Sequence, residues 1–136
     1  MRLTALAAIA ACVLAAGCGG EDQAAQAPEP ASTALTIELD PGEGASTTTW
    51  ELRCSPSGGD VPDPAAACSG LAGETDPFRA PPADAVCTEI YGGPARLHVT
   101  GTLAAEPVDA TFTRADGCQI DRFDSISTLF GLPPAG

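Results

Sequence analysis

Residues 34–40, ALTIELD, alternate Leu35, Ile37 and Leu39 with Thr36, Glu38 and Asp40. Successive side chains of a strand point to opposite faces, so this run predicts a strand with one buried face. Residues 41–46, PGEGAS, supply the proline and glycines of a turn. TTTWELRC at 47–54 then sets Trp50, Leu52 and Cys54 on one face against Glu51 and Arg53 on the other, behind β-branched threonines. The two runs predict an antiparallel pair.

The same alternation returns downstream. ARLHVTGTL (95–103) and PVDATFTR (107–114) direct Leu97 and Val99, then Val108, Ala110 and Phe112, to one side, and predict a second antiparallel pair. His98 falls on the other side, among Arg96 and Thr100; it is the only histidine, and no Ser/Asp constellation accompanies it. It reads as a surface or helix-covered residue and not as a catalytic base. Between the pairs, PDPAAACSGLAG (62–73) carries helix punctuation at both ends: Asp63 to accept from the first free amides, Pro64 at the first helical position, Gly73 to stop. Cys68 lies within that helix. At the other end of the chain, CQIDRFDSISTLF (118–130) spaces Ile120, Phe123, Ile126 and Phe130 at three and four residues, the pattern of a helix with one apolar face. The sum is an α+β domain, an antiparallel sheet with short helices covering one face.

Outside the domain, MRLTALAAIAACVLAAGCGG puts Arg2 ahead of an apolar run that ends in small residues, the pattern of a secretory signal and too short to span a bilayer. Its end, LAAGC, resembles the lipobox of bacterial lipoproteins, which makes Cys18 the expected site of lipidation after removal of residues 1–17; a plain secretory signal is the alternative. Residues 18–33 read as the lipidated cysteine and a flexible tether, since 21–33 lack large apolar side chains. Residues 34–130 read as one domain and 131–136 as a tail. The expected location is extracytoplasmic, anchored to the cell membrane by lipid, with secretion as the alternative.

Of the 6 cysteines, Cys12 leaves with the signal and Cys18 takes lipid, so Cys54, Cys68, Cys87 and Cys118 remain. Outside the cytosol an even set in a small chain reads as disulfides, and without a CxxC pair or a second histidine it does not read as a zinc site. A bridge from Cys68 to Cys54 would pin the first helix to the second strand, and one from Cys87 to Cys118 would tie a loop to the start of the last helix. Without Arg2 the chain carries five arginines and no lysine against 18 acidic residues, a net charge of −13. Nucleic acid is excluded as a partner, and so is electrostatic attraction to anionic lipid.

DAVCTEIYGGP (84–94) does not alternate, follows prolines and ends in Gly92-Gly93-Pro94, so it predicts an extended loop leading into the third strand. Here the chain resembles the Streptomyces subtilisin inhibitor family of serine-protease inhibitors. The likeness runs from about Ala34 to Phe130: a leading LTIEL strand, a second ending LRCSPSGG, a Pro-Ala-Ala helix with Cys68, the Cys-x-x-x-Tyr loop at Cys87–Tyr91, and a Phe-rich segment after Cys118. It implies a five-stranded antiparallel sheet with two helices on one face, bridges Cys54–Cys68 and Cys87–Cys118, a homodimer through the other face, and no cofactor or metal. It also implies that Glu89–Ile90 is a reactive bond offered to a subtilisin-like active site, with Val86, Cys87, Thr88 and Tyr91 as further contacts and no catalytic group of the chain's own.

In that family the residue before the bond is typically methionine or lysine, whereas here it is Glu89. A carboxylate entering an apolar pocket must shed its hydration, so a protease that cleaves after glutamate is the sharper expectation beside subtilisin-like ones. YGGPA also carries one more residue before the proline than the usual Tyr-Asp-Pro-Val, and predicts a looser leaving side. The alternative function is a non-inhibitory cell-surface binding lipoprotein on the same scaffold. An enzyme lacks support, since no nucleophile–base pair or metal cluster is visible.

Overall fold

The computed structural model describes residues 32–134; Cys18, the signal segment and most of the expected tether lie outside the described residues. In chain order the elements are β1 (Thr33–Asp40), β2 (Thr48–Cys54), β3 (Gly58–Gly59), α1 (Pro64–Gly73), β4 (Arg96–Leu103), β5 (Glu106–Phe112) and α2 (Gly117–Leu129). The five strands form one sheet in the order β3-β2-β1-β4-β5, every pairing antiparallel. β1 is its centre and opens at Thr33, the last residue of the stretch read as a tether, whose hydroxyl accepts the Ala104 N–H at 2.9 Å.

The register carries out what the alternation requires. Ile37 lies opposite Trp50 on one side and Val99 on the other, and Leu35 opposite Leu52 and Gly101, so the apolar residues of all three strands share a face. Leu35, Ile37, Leu52, Leu97, Val99 and Phe112 are buried from the sheet side. Ala67 and Leu71 of α1, and Phe123 and Ile126 of α2, close over them with Phe130. Each such apolar side chain stabilises the fold by roughly 1.5–3 kcal/mol relative to exposure. Leu132, past the end of α2, is buried too, and its N–H donates to the Ser127 carbonyl at 2.8 Å, so the chain stays docked beyond the helix.

Direct reading of the residues yields four strands; the fifth, expected from the family resemblance, is β3, two glycines on the sheet edge. No hydrophobic period can mark a strand of that length. It is held by Asp60, whose carboxylate accepts the Glu51 N–H and whose own N–H donates back to the Glu51 carbonyl. The helices begin where aspartate can cap them: Asp63 accepts from Ala66 N and Asp116 from Gln119 N, each at 2.9 Å. The Cys54–Cys68 bridge ties α1 to the end of β2, and closing a loop of about 15 residues stabilises the fold by about 3 kcal/mol in the chain-entropy model.

The Pro-rich segment between α1 and β4 lacks regular structure and is fixed by a single cation. Arg122 of α2 donates to the carbonyls of Phe78 (2.7 Å), Arg79 (2.8 Å) and Thr111 (2.7 Å), and its guanidinium lies 3.8 Å from the Phe112 ring centroid. Phe78 packs edge-on against the same ring. Burial lowers the Arg122 pKa from its ordinary value, with Asp76 opposing, yet an arginine remains charged and so donates to all three carbonyls.

Arg122→Ala removes these donors and leaves the part-buried Phe78 carbonyl unpaired, so it is expected to lower unfolding stability by about 1–3 kcal/mol. Arg122→Lys should recover less than half, because an ammonium cannot span the same fork. Urea denaturation midpoints check both.

Candidate functional site

The segment fixed by Arg122 delivers the chain to residues 84–94. A turn closed by Ala85 N–H to the Pro82 carbonyl (3.0 Å) precedes it. Val86 is 100% exposed, Ile90 58% and Tyr91 70%, three large apolar side chains displayed within six residues. Glu89 between them is exposed as well. A small domain that needs its apolar surface inside and still displays such a run marks that run as a contact surface.

The displayed peptide is short because both its ends are fastened to one short region, residues 114–118. Cys87 is bonded to Cys118, the second residue of α2. The Thr88 carbonyl accepts the N–H of Gly117, the first residue of that helix, at 2.9 Å. A Cβ at Gly117 would run into the Thr88 hydroxyl, which would have to move. Ile90 N–H also donates to the Thr88 carbonyl at 2.9 Å, so a tight three-residue turn is centred on Glu89 and the Glu89–Ile90 amide proton is satisfied within the loop.

On the far side the anchor is Gly92. Its N–H donates to the Arg114 carbonyl (2.8 Å), and the Arg114 side chain donates from Nε back to the Gly92 carbonyl (2.7 Å). Arg114 is held in turn by Asp124 of α2 (Nη1 to Oδ1, 2.9 Å) and by the Phe123 ring, 5.3 Å from its guanidinium carbon. A Cβ on Gly92 would come within 2.8 Å of the Ile120 side chain and 3.0 Å of Arg114 Nε. Farther on, Pro94 packs against Gly42 in the β1–β2 turn. Gly92, in the turn expected to be looser, is hydrogen-bonded to Arg114 on both its backbone groups. Ile120, expected on the apolar face with Phe123 and Ile126, is only half-buried and supports the loop at this point.

Val86, Cys87, Thr88, Glu89, Ile90 and Tyr91 are thus brought together in one projecting segment, and Cys54 and Cys68 lie apart from it in the α1–β2 bridge. Reading the sequence alone missed Arg114, Gly117, Asp124 and the supporting role of Ile120. Arg114 is 22 residues from Gly92 in the chain, and no local pattern pairs them. His98 sits elsewhere, on the open face of the sheet, with Nε2 2.8 Å from Asp109 and Nδ1 3.6 Å from Glu38. Cys87, Cys118 and Asp116 lie close together, but both sulfurs are consumed in the bridge, and a metal would need them as thiolates. A groove of about 970 Å³ between α1 and the β4–β5 hairpin, floored by Leu71, Phe78 and Val108, is separate from the loop.

The fold and the loop together define a disulfide-stapled α+β scaffold that presents one exposed peptide fastened on both sides. Residues 29–115 match the family described as Subtilisin inhibitor-like. The subtilisin inhibitor of Streptomyces violaceus is 36% identical over 126 residues, covering 84% of this chain and 84% of that protein. Streptomyces caespitosus sermetstatin, solved in complex with Bacillus licheniformis subtilisin, shares 23% identity at a TM-score of 0.46, over 73% of this chain and 96% of that one. The chain belongs to the subtilisin inhibitor-like family, a family of inhibitors and not of enzymes.

Gly92→Ala should displace the loop from α2 while leaving the core intact. The expected result is a melting temperature within a few degrees of the native protein and cleavage between residues 86 and 94 by a nonspecific protease that is faster by about tenfold, read by mass spectrometry.

Proposed function

We propose that this chain inhibits serine endopeptidases by offering Glu89–Ile90 as a reactive bond, from an extracytoplasmic position fixed by lipid on Cys18. The observation that carries the inhibitory reading is the fastening of the loop on both sides of that bond, at Cys87 and Thr88 before it and at Gly92 after it. Family membership supports the same reading, as does the name of the Streptomyces violaceus relative.

In this reading the loop enters the protease cleft as a substrate would. Glu89 fills the pocket that selects the residue before the bond, and Val86, Cys87 and Thr88 lie along the approach side. Ile90 and Tyr91 lie on the leaving side. Pre-ordering lowers the entropy lost on binding, since a tied segment has few conformations to give up. Rigidity also keeps a cut bond's ends together. The acidic side chain selects a protease with a cationic specificity pocket, because an apolar pocket would strip the carboxylate of its hydration without replacing it. Broad subtilisins are the weaker targets. Lipid on Cys18 would keep the inhibitor at the membrane surface, and two copies would pair through the open sheet face that carries Glu38, His98 and Asp109.

Titration of the purified protein against a broad subtilisin and a glutamate-specific serine protease tests the reading. Tighter inhibition of the glutamate-specific enzyme is expected. Glu89→Met should improve inhibition of the subtilisin by roughly ten- to a hundredfold and weaken it toward the other, as expected from removing an unpaired buried carboxylate. If neither protease is slowed by the native protein or by the variant, a non-inhibitory binding lipoprotein takes its place. Metabolic labelling with a fatty-acid analogue, lost in Cys18→Ala, checks the anchor, and sedimentation of the purified protein checks the pairing.

A further inference from the structure

We infer that Arg114 is the positioning residue on the leaving side of the bond, and that its side chain decides whether a cut at Glu89–Ile90 is resealed or completed. The inference rests on the inhibitor reading of the loop and assigns a role to a residue outside the loop.

In the intact protein the two halves of the loop are joined through the bond itself. Once the protease serine oxygen attacks the Glu89 carbonyl carbon, the C–N bond to Ile90 breaks. The nitrogen then leaves as an amine, carrying a proton from the protease's acid, and Glu89 is held as a serine ester. Two nucleophiles compete for that ester. Attack by the Ile90 amine re-forms the C–N bond and returns the serine oxygen with its proton. Attack by water releases serine and leaves Glu89 as a free carboxylate. Resealing wins only while the Ile90 amine stays near the ester carbon, at high effective concentration.

The approach half is held whatever happens to the bond, through Cys87–Cys118 and the Gly117 N–H on the Thr88 carbonyl. The leaving half has no covalent tie to α2, and its nearest anchor to Ile90 is Gly92, two residues on. The Arg114 side chain supplies the charge-assisted member of that anchor. It is itself held by two residues of α2, the Asp124 carboxylate and the Phe123 ring, and is only 17% exposed. Both cut ends are thereby referenced to one rigid helix. Gly92 and Arg114 are matched, since a Cβ on Gly92 would press on Arg114 Nε and the Ile120 side chain and one of them would have to shift. A merely structural arginine would need no such match to the loop.

The test compares the native protein with Arg114→Ala, Arg114→Lys and Asp124→Asn, each incubated with the glutamate-specific protease and with the subtilisin. Protease activity, the intact-to-cut ratio at Glu89–Ile90 and the melting temperature are followed together. Arg114→Ala is expected to inhibit at first mixing within a few-fold of the native protein, then to be cut through and release active protease at least about tenfold faster. Arg114→Lys should restore part of the lifetime, because an ammonium can reach the Gly92 carbonyl without also holding Asp124, and Asp124→Asn should fall between. If first inhibition and melting temperature fall together in Arg114→Ala while the intact-to-cut ratio over time matches the native protein, the residue is only structural and the inference is overturned. Should the native protein slow neither protease, the inhibitor reading fails separately. The resealing role assigned to Arg114 then falls with it.

Discussion

A loop without secondary structure holds one shape only if the rest of the molecule supplies the order it lacks. In this protein that order comes from the first residues of α2 and the strand end before them. The Cys87–Cys118 bond, the Gly117 amide on the Thr88 carbonyl and the Arg114 clamp on Gly92 all converge within five residues, 114–118. Every other part of the fold can be understood as holding that region still. Phe123, Ile126 and Phe130 root α2 in the core, and Asp116 caps its start.

The domain is acidic and small, and two of its arginines are placed where geometry needs a planar donor. Arg122 spans three carbonyls to shape the chain that leads to the loop, and Arg114 braces the chain that leaves it. Each lies against a core phenylalanine, so the charged residues that order the irregular segments are themselves ordered by the core. A lysine in either place would offer a point charge without the fork. The same economy shows in the glycines at 92 and 117, which bring backbone within hydrogen-bonding reach of backbone where a methyl group would hold it off.

Placing the exposed loop outside the core separates its sequence from the stability of the fold. The sheet and helices bury the apolar residues, whereas Val86, Glu89, Ile90 and Tyr91 face solvent and are free to be chosen for a partner. An exposed glutamate at the centre of the display costs the fold little.

Four of the strands, both helices and the buried face of the sheet were written in local pattern. Alternation at 34–40, 47–54, 95–103 and 107–114, the Asp63-Pro64 start and the three- and four-residue spacing of Phe123, Ile126 and Phe130 each act over a few residues, and such signals survive in a linear sequence. The unusual length of the Gly-Gly turn and the acidic residue at 89 were legible too. What tertiary structure alone decided was which distant groups meet: Arg114 with Gly92 and Asp124, Gly117 with Thr88, Arg122 with Phe78 and Thr111, and the two-glycine strand β3 beside β2. Those contacts follow from how the sheet and α2 pack, and a hydrogen bond between residues 22 or 44 positions apart leaves no period in either partner's neighbourhood. The sequence marked the loop, and packing determined how it is held.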